Sequence, residues 1–405
     1  MRSEPFLTMP SHPQIERVLP GGSRIQGLCA PGLEPVLAAF AANFHARGEV
    51  GASLCVTHRG ETVIDVWGGL ADAATGAPWQ RDTCCVVFSC TKGAAALCLH
   101  LLVQDGAIAY DDRVETIWPG FAQGGKAGTT IAMMLDHRAP VPHLRDPVKP
   151  DGFLDWDYMI ARIEQEPAFW EPGTRQGYHG LTYAWTVGQV VRLVAGKPLG
   201  AFFRERVAAP LGLAFHIGLP ADADIALARL IPPDRAAVDR ENPFYKTAMS
   251  DRASHAGLFI YNLGGARMDS APYHRAEIAS ANGITNGRGL ARMYQAMIKP
   301  DGLLAPATIA RLTQPSGVTD RDEVLCRPSS FSGGFMKSMP SMPGGAYDGL
   351  SLPAAAFGHV GMGGSLGFAD PAREVSFGYA MNRMGPTVLL NERGQALVDA
   401  LYAVI

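Results

Sequence analysis

Apolar and polar positions change rhythm several times along this chain. From Leu33 to Arg47 (LEPVLAAFAANFHAR) apolar residues recur at helical spacing, which predicts an amphipathic helix. Two β-rich runs follow, Ala52–His58 and Glu61–Trp67, with only Arg59-Gly60 between them, the signature of a hairpin. Cys84–Phe88 (CCVVF) is apolar and runs straight into Ser89, and Thr91–Gln104 (TKGAAALCLHLLVQ) is apolar nearly all round. Such a segment predicts a helix covered on every side, and Asp105-Gly106 ends it.

From about 115 to 285 the pattern is helical with long Pro-rich loops; Leu181–Val194 ends at Gly196, and Leu199–Val207 is stopped by Pro210. Arg288–Ile298 reads as an amphipathic helix. Strand patterns return at Phe357–Val360, Ser365–Ala369 and Val375–Met381, before a last helix over about Glu392–Val404. Residues 1–30 read as a Pro/Gly-rich arm, and 315–350, rich in Ser, Gly, Pro and Met, as a long loop region. Strands at both ends with helices between predict an α/β (α+β) fold. An antiparallel sheet flanked by helices is built from 1–115 and 285–405, and a mostly helical domain is inserted at 116–284. A chain of 405 residues is long enough for two such units.

Composition narrows the class. Hydrophobic residues make up 47% and charged ones 18%, so the chain can bury a core and is not disordered. A net charge of −3 without a basic stripe argues against nucleic-acid binding. The seven cysteines are odd in number, form no CxxC and sit partly in apolar runs, which predicts reduced, buried thiols in a cytoplasmic protein. The N-terminus has no apolar stretch of the secretory kind, and Ala94–Val103 is too short to span a bilayer.

The chemistry centres on Ser89-Cys90-Thr91-Lys92, an S-x-x-K opening the covered helix. Residues i and i+3 share a helix face, so the lysine amine can stand beside the serine hydroxyl. A serine becomes a good nucleophile when a base takes its proton, and a lysine can be that base when burial lowers its pKa. A second feature is Glu171-Pro172-Gly173-Thr174, a turn followed by Tyr178-His179-Gly180; a phenol near a lysine can be held partly ionised and relay protons. A third is His359-Val360-Gly361-Met362-Gly363-Gly364, where glycines let backbone N–H groups approach a substrate carbonyl.

In this order the three features resemble the serine β-lactamase and penicillin-binding protein superfamily, which carries S-x-x-K, Y-x-N/S and K-T-G motifs. The likeness is strongest to the class C β-lactamase-like group and, within it, to family VIII carboxylesterases. It extends over about residues 33–400, with Val66-Trp67-Gly68-Gly69, Leu135-Asp136-His137 and Gly367-Phe368-Ala369-Asp370-Pro371 among its supports. The resemblance implies Ser89 as the acylated nucleophile, Lys92 and Tyr178 sharing base and acid roles, and the backbone N–H groups of Ser89 and Met362 as the oxyanion hole. It implies a small-molecule ester as the partner and no cofactor or metal; His359 and Gly361 are expected at the substrate, and the long loops near 138–157, 231–255 and 315–350 are expected to wall the cleft, with Trp156, Trp170, Tyr245, Phe331 and Phe335 as candidate walls that can equally be structural. Two departures matter: Gly180 stands where Asn or Ser is usual, and His359 where the lysine of K-T-G is usual. Both favour neutral esters over β-lactams.

Other motifs are set aside. Gly363-Gly364-Ser365-Leu366-Gly367 matches G-x-S-x-G, but no histidine follows Ser365, so the chain order excludes that triad. Gly120–Ala127 nearly matches a phosphate-binding loop but lacks its Ser/Thr and reads as a flexible surface loop. His137 and His143 have no helical metal register and read as solvated loop histidines. Ser250-Asp251-Arg252 reads as loop. The function expected is a carboxylesterase working through acyl-Ser89. The alternatives are β-lactam hydrolysis, D-amino amide or peptide cleavage, acyl transfer to an alcohol, or a non-catalytic binding homologue.

Overall fold

A computed structural model describes residues 12–19, 22–343 and 345–405. Its frame is one eleven-stranded sheet, and every ladder in it is antiparallel. The predicted hairpin forms at its centre from Gly51–His58 and Glu61–Asp72, with Leu54 opposite Val66. The chain's far end completes the centre: Val375–Met381 pairs with Gly51–His58, setting Tyr379 opposite Leu54. Leu366–Asp370 and Phe357–Val360 follow outward. Strands buried on both faces, such as VSFGYAM, read as continuous apolar or small runs because helices cover both sides.

Two expectations are corrected here. The N-terminal arm contains the edge hairpin Gln14–Val18 and Arg24–Cys29, the second strand pairing with Glu61–Asp72. Residues 1–11 and 20–21 of that arm lie outside the described residues. The expected loop at 315–350 holds three short strands, Gly317–Thr319, Ser329–Ser332 and Phe335–Met336, which form the opposite edge of the sheet.

Thr91–Gln104 is a helix with the predicted bounds, buried from Thr91 through Leu102. It is apolar all round because it touches helices Tyr183–Ala195 and Leu199–Phe203 as well as strand Phe357–Val360. The apolar interior falls into two large clusters and a small third one at Cys84, Val86 and Ile284. One large cluster surrounds this helix with Trp185, Phe203 and Met159; the second joins the sheet to the terminal helices Glu34–Ala46 and Glu392–Tyr402 through Phe40, Leu54 and Leu397. A buried ion pair fastens the second cluster: Arg393 Nη1 lies 2.9 Å from Glu49 Oε1, and the Tyr379 hydroxyl donates to the same carboxylate.

Candidate active site

Ser89 sits on a strained turn. Phe88, just before it, has φ 45°, a left-handed conformation that costs a non-glycine residue about 1 kcal/mol or more. The turn is held by Thr91, whose Oγ1 donates to Phe88 O at 2.5 Å and accepts from Gly283 N at 2.8 Å. One helical turn on, Lys92 is fully buried. Its Nζ lies 3.1 Å from Ser89 Oγ, 2.8 Å from Gly180 O and 2.9 Å from Ser280 O.

These three partners define the amine's state. Burial drives its pKa well below the ordinary lysine value, against a small opposing effect of Cys90. A neutral amine has two N–H donors and one lone pair. Carbonyl oxygens can only accept, so Gly180 and Ser280 take the two donors. The lone pair is left for the Ser89 hydroxyl.

Tyr178 closes the group. Lys92 Nζ lies 4.9 Å from its ring centroid, and the phenol faces Ser89. The phenol is not partly ionised as expected: burial pushes its pKa up, only partly opposed by Ser89, so it stays a neutral donor. Its segment is anchored by Asp322, whose Oδ1 accepts from the Tyr178, Val324 and Leu325 amides at 3.0, 2.9 and 2.9 Å. The reading of residues 315–350 as loop hid this anchor. The ring of Phe331 stacks on Tyr178 at 12° with centroids 6.1 Å apart.

His137 and His143 are not solvated. His137 is fully buried at φ 59°, packed 4.9 Å from Tyr178 and 5.4 Å from His179, and it accepts from His179 N at 3.1 Å. Burial and neighbouring imidazoles hold both His137 and His143 well below the usual histidine pKa. The surface-loop reading of Gly120–Ala127 holds for the exposed residues 123–125 and 127 but not for Lys126. That lysine is buried and donates to the carbonyls of Gln123, Glu164 and Glu166, tying residues 119–126 to the helix Trp156–Gln165.

A cavity of about 290 Å³ opens beside Ser89. Ser89, Gly180 and Met362 reach its wall, with apolar side chains from 142–159, 244–245 and 258–268. The stretch 258–268 was missed, although its apolar run Leu258–Tyr261 was visible in the sequence. Neither the Ser89 nor the Met362 backbone N–H has an acceptor among the described residues. His359, Gly361, Trp170 and Phe331 are not among the residues lining the cavity. His359 is fully buried, with Nδ1 on Val360 O at 2.8 Å and a pKa lowered to about 3 by burial and Lys92. Gly361 N donates to Ser365 O at 2.7 Å, and Trp170 Nε1 donates to Arg138 O at 3.2 Å.

The chain is similar to known proteins along most of its length. The Beta-lactamase family model matches residues 37–402. The chain is 35% identical over 389 residues to Esterase/beta-lactamase LipL of Mycobacterium tuberculosis, covering 92% of this chain and 86% of that protein. A crystal structure of a family VIII carboxylesterase superposes with TM-score 0.81 at 36% identity, over 94% of this chain and 100% of the other. A penicillin-binding protein homologue from Caulobacter crescentus gives TM-score 0.82 at 35% identity, with the same coverage of each chain.

Proposed function

Since the chain belongs to the Beta-lactamase family, we propose that it is a serine carboxylesterase whose nucleophile is Ser89. The observation that carries this reading is the buried Lys92 amine, with two carbonyls taking its donors and Ser89 Oγ 3.1 Å away. The family VIII carboxylesterase likeness and the esterase name of the relative support the same substrate class.

In the first half-reaction Lys92 Nζ takes the Ser89 proton while Oγ attacks the ester carbonyl. The negative charge that develops on the carbonyl oxygen is met by the unpartnered N–H groups of Ser89 and Met362. As the C–O bond breaks, the neutral Tyr178 phenol gives its proton to the departing alkoxide and is reprotonated from Lys92. Alcohol leaves and acyl-Ser89 remains. Water then enters, loses its proton to the same pair and releases the acid, restoring Ser89.

Esters are favoured over anionic β-lactams because no Asp, Glu, Lys or Arg lines the cavity, and His359, with its pKa near 3, offers no cation where K-T-G carries one. We place the enzyme in the cytoplasm, which suits its seven free, buried cysteines. Among the described residues no helix is long and apolar enough to cross a membrane. The test is turnover of p-nitrophenyl acetate with mass spectrometry after a fluorophosphonate probe. Ser89→Ala should lose the rate by several orders of magnitude and take up no probe; a probe adduct on another serine would sink the reading.

A further inference from the structure

The cavity lies on the seam between the two large hydrophobic clusters. Val148, Phe153 and Met159 belong to one; Phe244 and Val388 belong to the other. Part of its apolar character comes from Gly180. A Cβ there would stand 2.5 Å from Phe259 Cε2, so an aromatic ring occupies the space that the usual Asn or Ser side chain would need.

The polar side chains on the wall are almost all committed to backbone. Thr182 Oγ1 donates to Pro142 O at 2.9 Å, and the Tyr245 hydroxyl to Pro386 O at 3.0 Å. Asn262 Nδ2 donates to Leu144 O at 2.8 Å and Asp146 O at 3.0 Å, while its Oδ1 accepts from Val148 N at 2.8 Å. Besides Ser89, that leaves His143. It is only 6% exposed; its Nε2 is closed off and unpartnered, and Nδ1, which also makes no hydrogen bond, is the nitrogen left open to the cavity. His255, with ring centroid 5.7 Å away, has an unpartnered Nδ1 as well. Buried beside other imidazoles, His143 is held neutral. A neutral imidazole offers one donor and one acceptor, and a buried polar group of this kind is normally satisfied.

We propose that the cavity receives one arm of the ester, an uncharged apolar chain bearing a single hydroxyl or carbonyl group, and that His143 selects it by hydrogen-bonding that group. This rests on Ser89 being the nucleophile. At about 30 Å³ per small group, the volume suits an arm on the order of ten non-hydrogen atoms. The arm is either the acyl chain or the alcohol, two sources of one chemistry.

Two substrate series on the purified full-length chain separate them: p-nitrophenyl esters from acetate to decanoate, and acetates of ethanol to decanol. In one series kcat/KM should climb about fourfold per methylene to roughly eight carbons, and the series that climbs identifies the arm. Within it, positional hydroxyl isomers of the eight-carbon substrate should include one used at least as well as the plain chain. Without a partner, every isomer would fall about tenfold or more. His143→Phe should reduce the ratio of that isomer to the plain ester at least tenfold. Two flat series, or uniformly disfavoured hydroxyl isomers, overturn the proposal with no variant needed. An unchanged ratio in a folded His143→Phe also overturns it. Fluorophosphonate labelling of Ser89 alongside flat series would sink the pocket assignment alone; absent labelling would sink the nucleophile reading beneath it.

Discussion

Replacing Lys92 by methionine tests the neutral amine through stability as well as activity. In the unfolded chain the amine has the ordinary value of 10.5, and burial lowers it well below that in the fold. Between those two values the unfolded state carries a proton that the native state lacks. Stability therefore rises as pH climbs toward 10.5 and is lost as pH falls, by about 1.4 kcal/mol per unit. At pH 7.5 keeping the amine neutral therefore costs the fold stability. Methionine removes that cost but leaves the Gly180 and Ser280 carbonyls without donors, at about 1–3 kcal/mol each. The two effects oppose each other, so Lys92→Met should still fold at pH 7.5. From pH 7.5 to 9.5, however, the parent should gain stability on the variant, with a slope of up to about 1.4 kcal/mol per unit. Urea unfolding followed by tryptophan fluorescence measures both proteins, and every other titrating group cancels in the difference. Esterase activity should fall at least about a thousandfold. A stability difference that stays constant across those two units would mean that Lys92 is charged in the fold, and the reasoning would fail.

Three further outcomes follow from the same geometry. Ser365 Oγ is buried without a partner, so Ser365→Ala should keep activity within about twofold and hold or gain about 1 kcal/mol of stability; lost turnover with an intact melt would point to the wrong serine. A Cβ at Gly361 would meet Val87 O at 2.2 Å, pushing Met362 away from the turn that carries Ser89. Gly361→Ala should lower kcat for p-nitrophenyl acetate about a hundredfold. Arg393→Met strands the buried Glu49 carboxylate, and chemical denaturation should read a loss of about 3–5 kcal/mol.

The sequence was most legible where one physical demand dominates. Thr91–Gln104 was readable to its last residue because a helix touched on all sides must be apolar on all sides. Phe357–Val360 and Val375–Met381 were readable as compact apolar runs bounded by turns. The edge strands were not. Gln14–Val18 is almost entirely exposed and carries polar residues in most positions, and Phe335–Met336 is two residues long. Neither length nor period marks such segments. Ser89 and Lys92 were legible because one helical turn brings them together. Their surroundings were not, since they depend on partners far away in the chain: Phe259 filling the space at Gly180, Asp322 anchoring Tyr178, and carbonyls 88 and 188 residues from Lys92. The imidazoles at 137 and 143 were misread because a histidine's burial depends on what packs over it, and nothing in its neighbours' identity announces that.

The way Lys92 is tethered also bears on when the proposed nucleophile becomes reactive. Until the segments carrying Gly180 and Ser280 have both docked, the amine is an ordinary solvated ammonium and Ser89 an ordinary alcohol. A nascent or misfolded copy therefore has no activated hydroxyl with which to acylate itself or its surroundings. With Ser89 as the proposed nucleophile, reactivity would be switched on by completion of the tertiary structure, and a covalent probe of Ser89 would report how many molecules in a sample are properly folded.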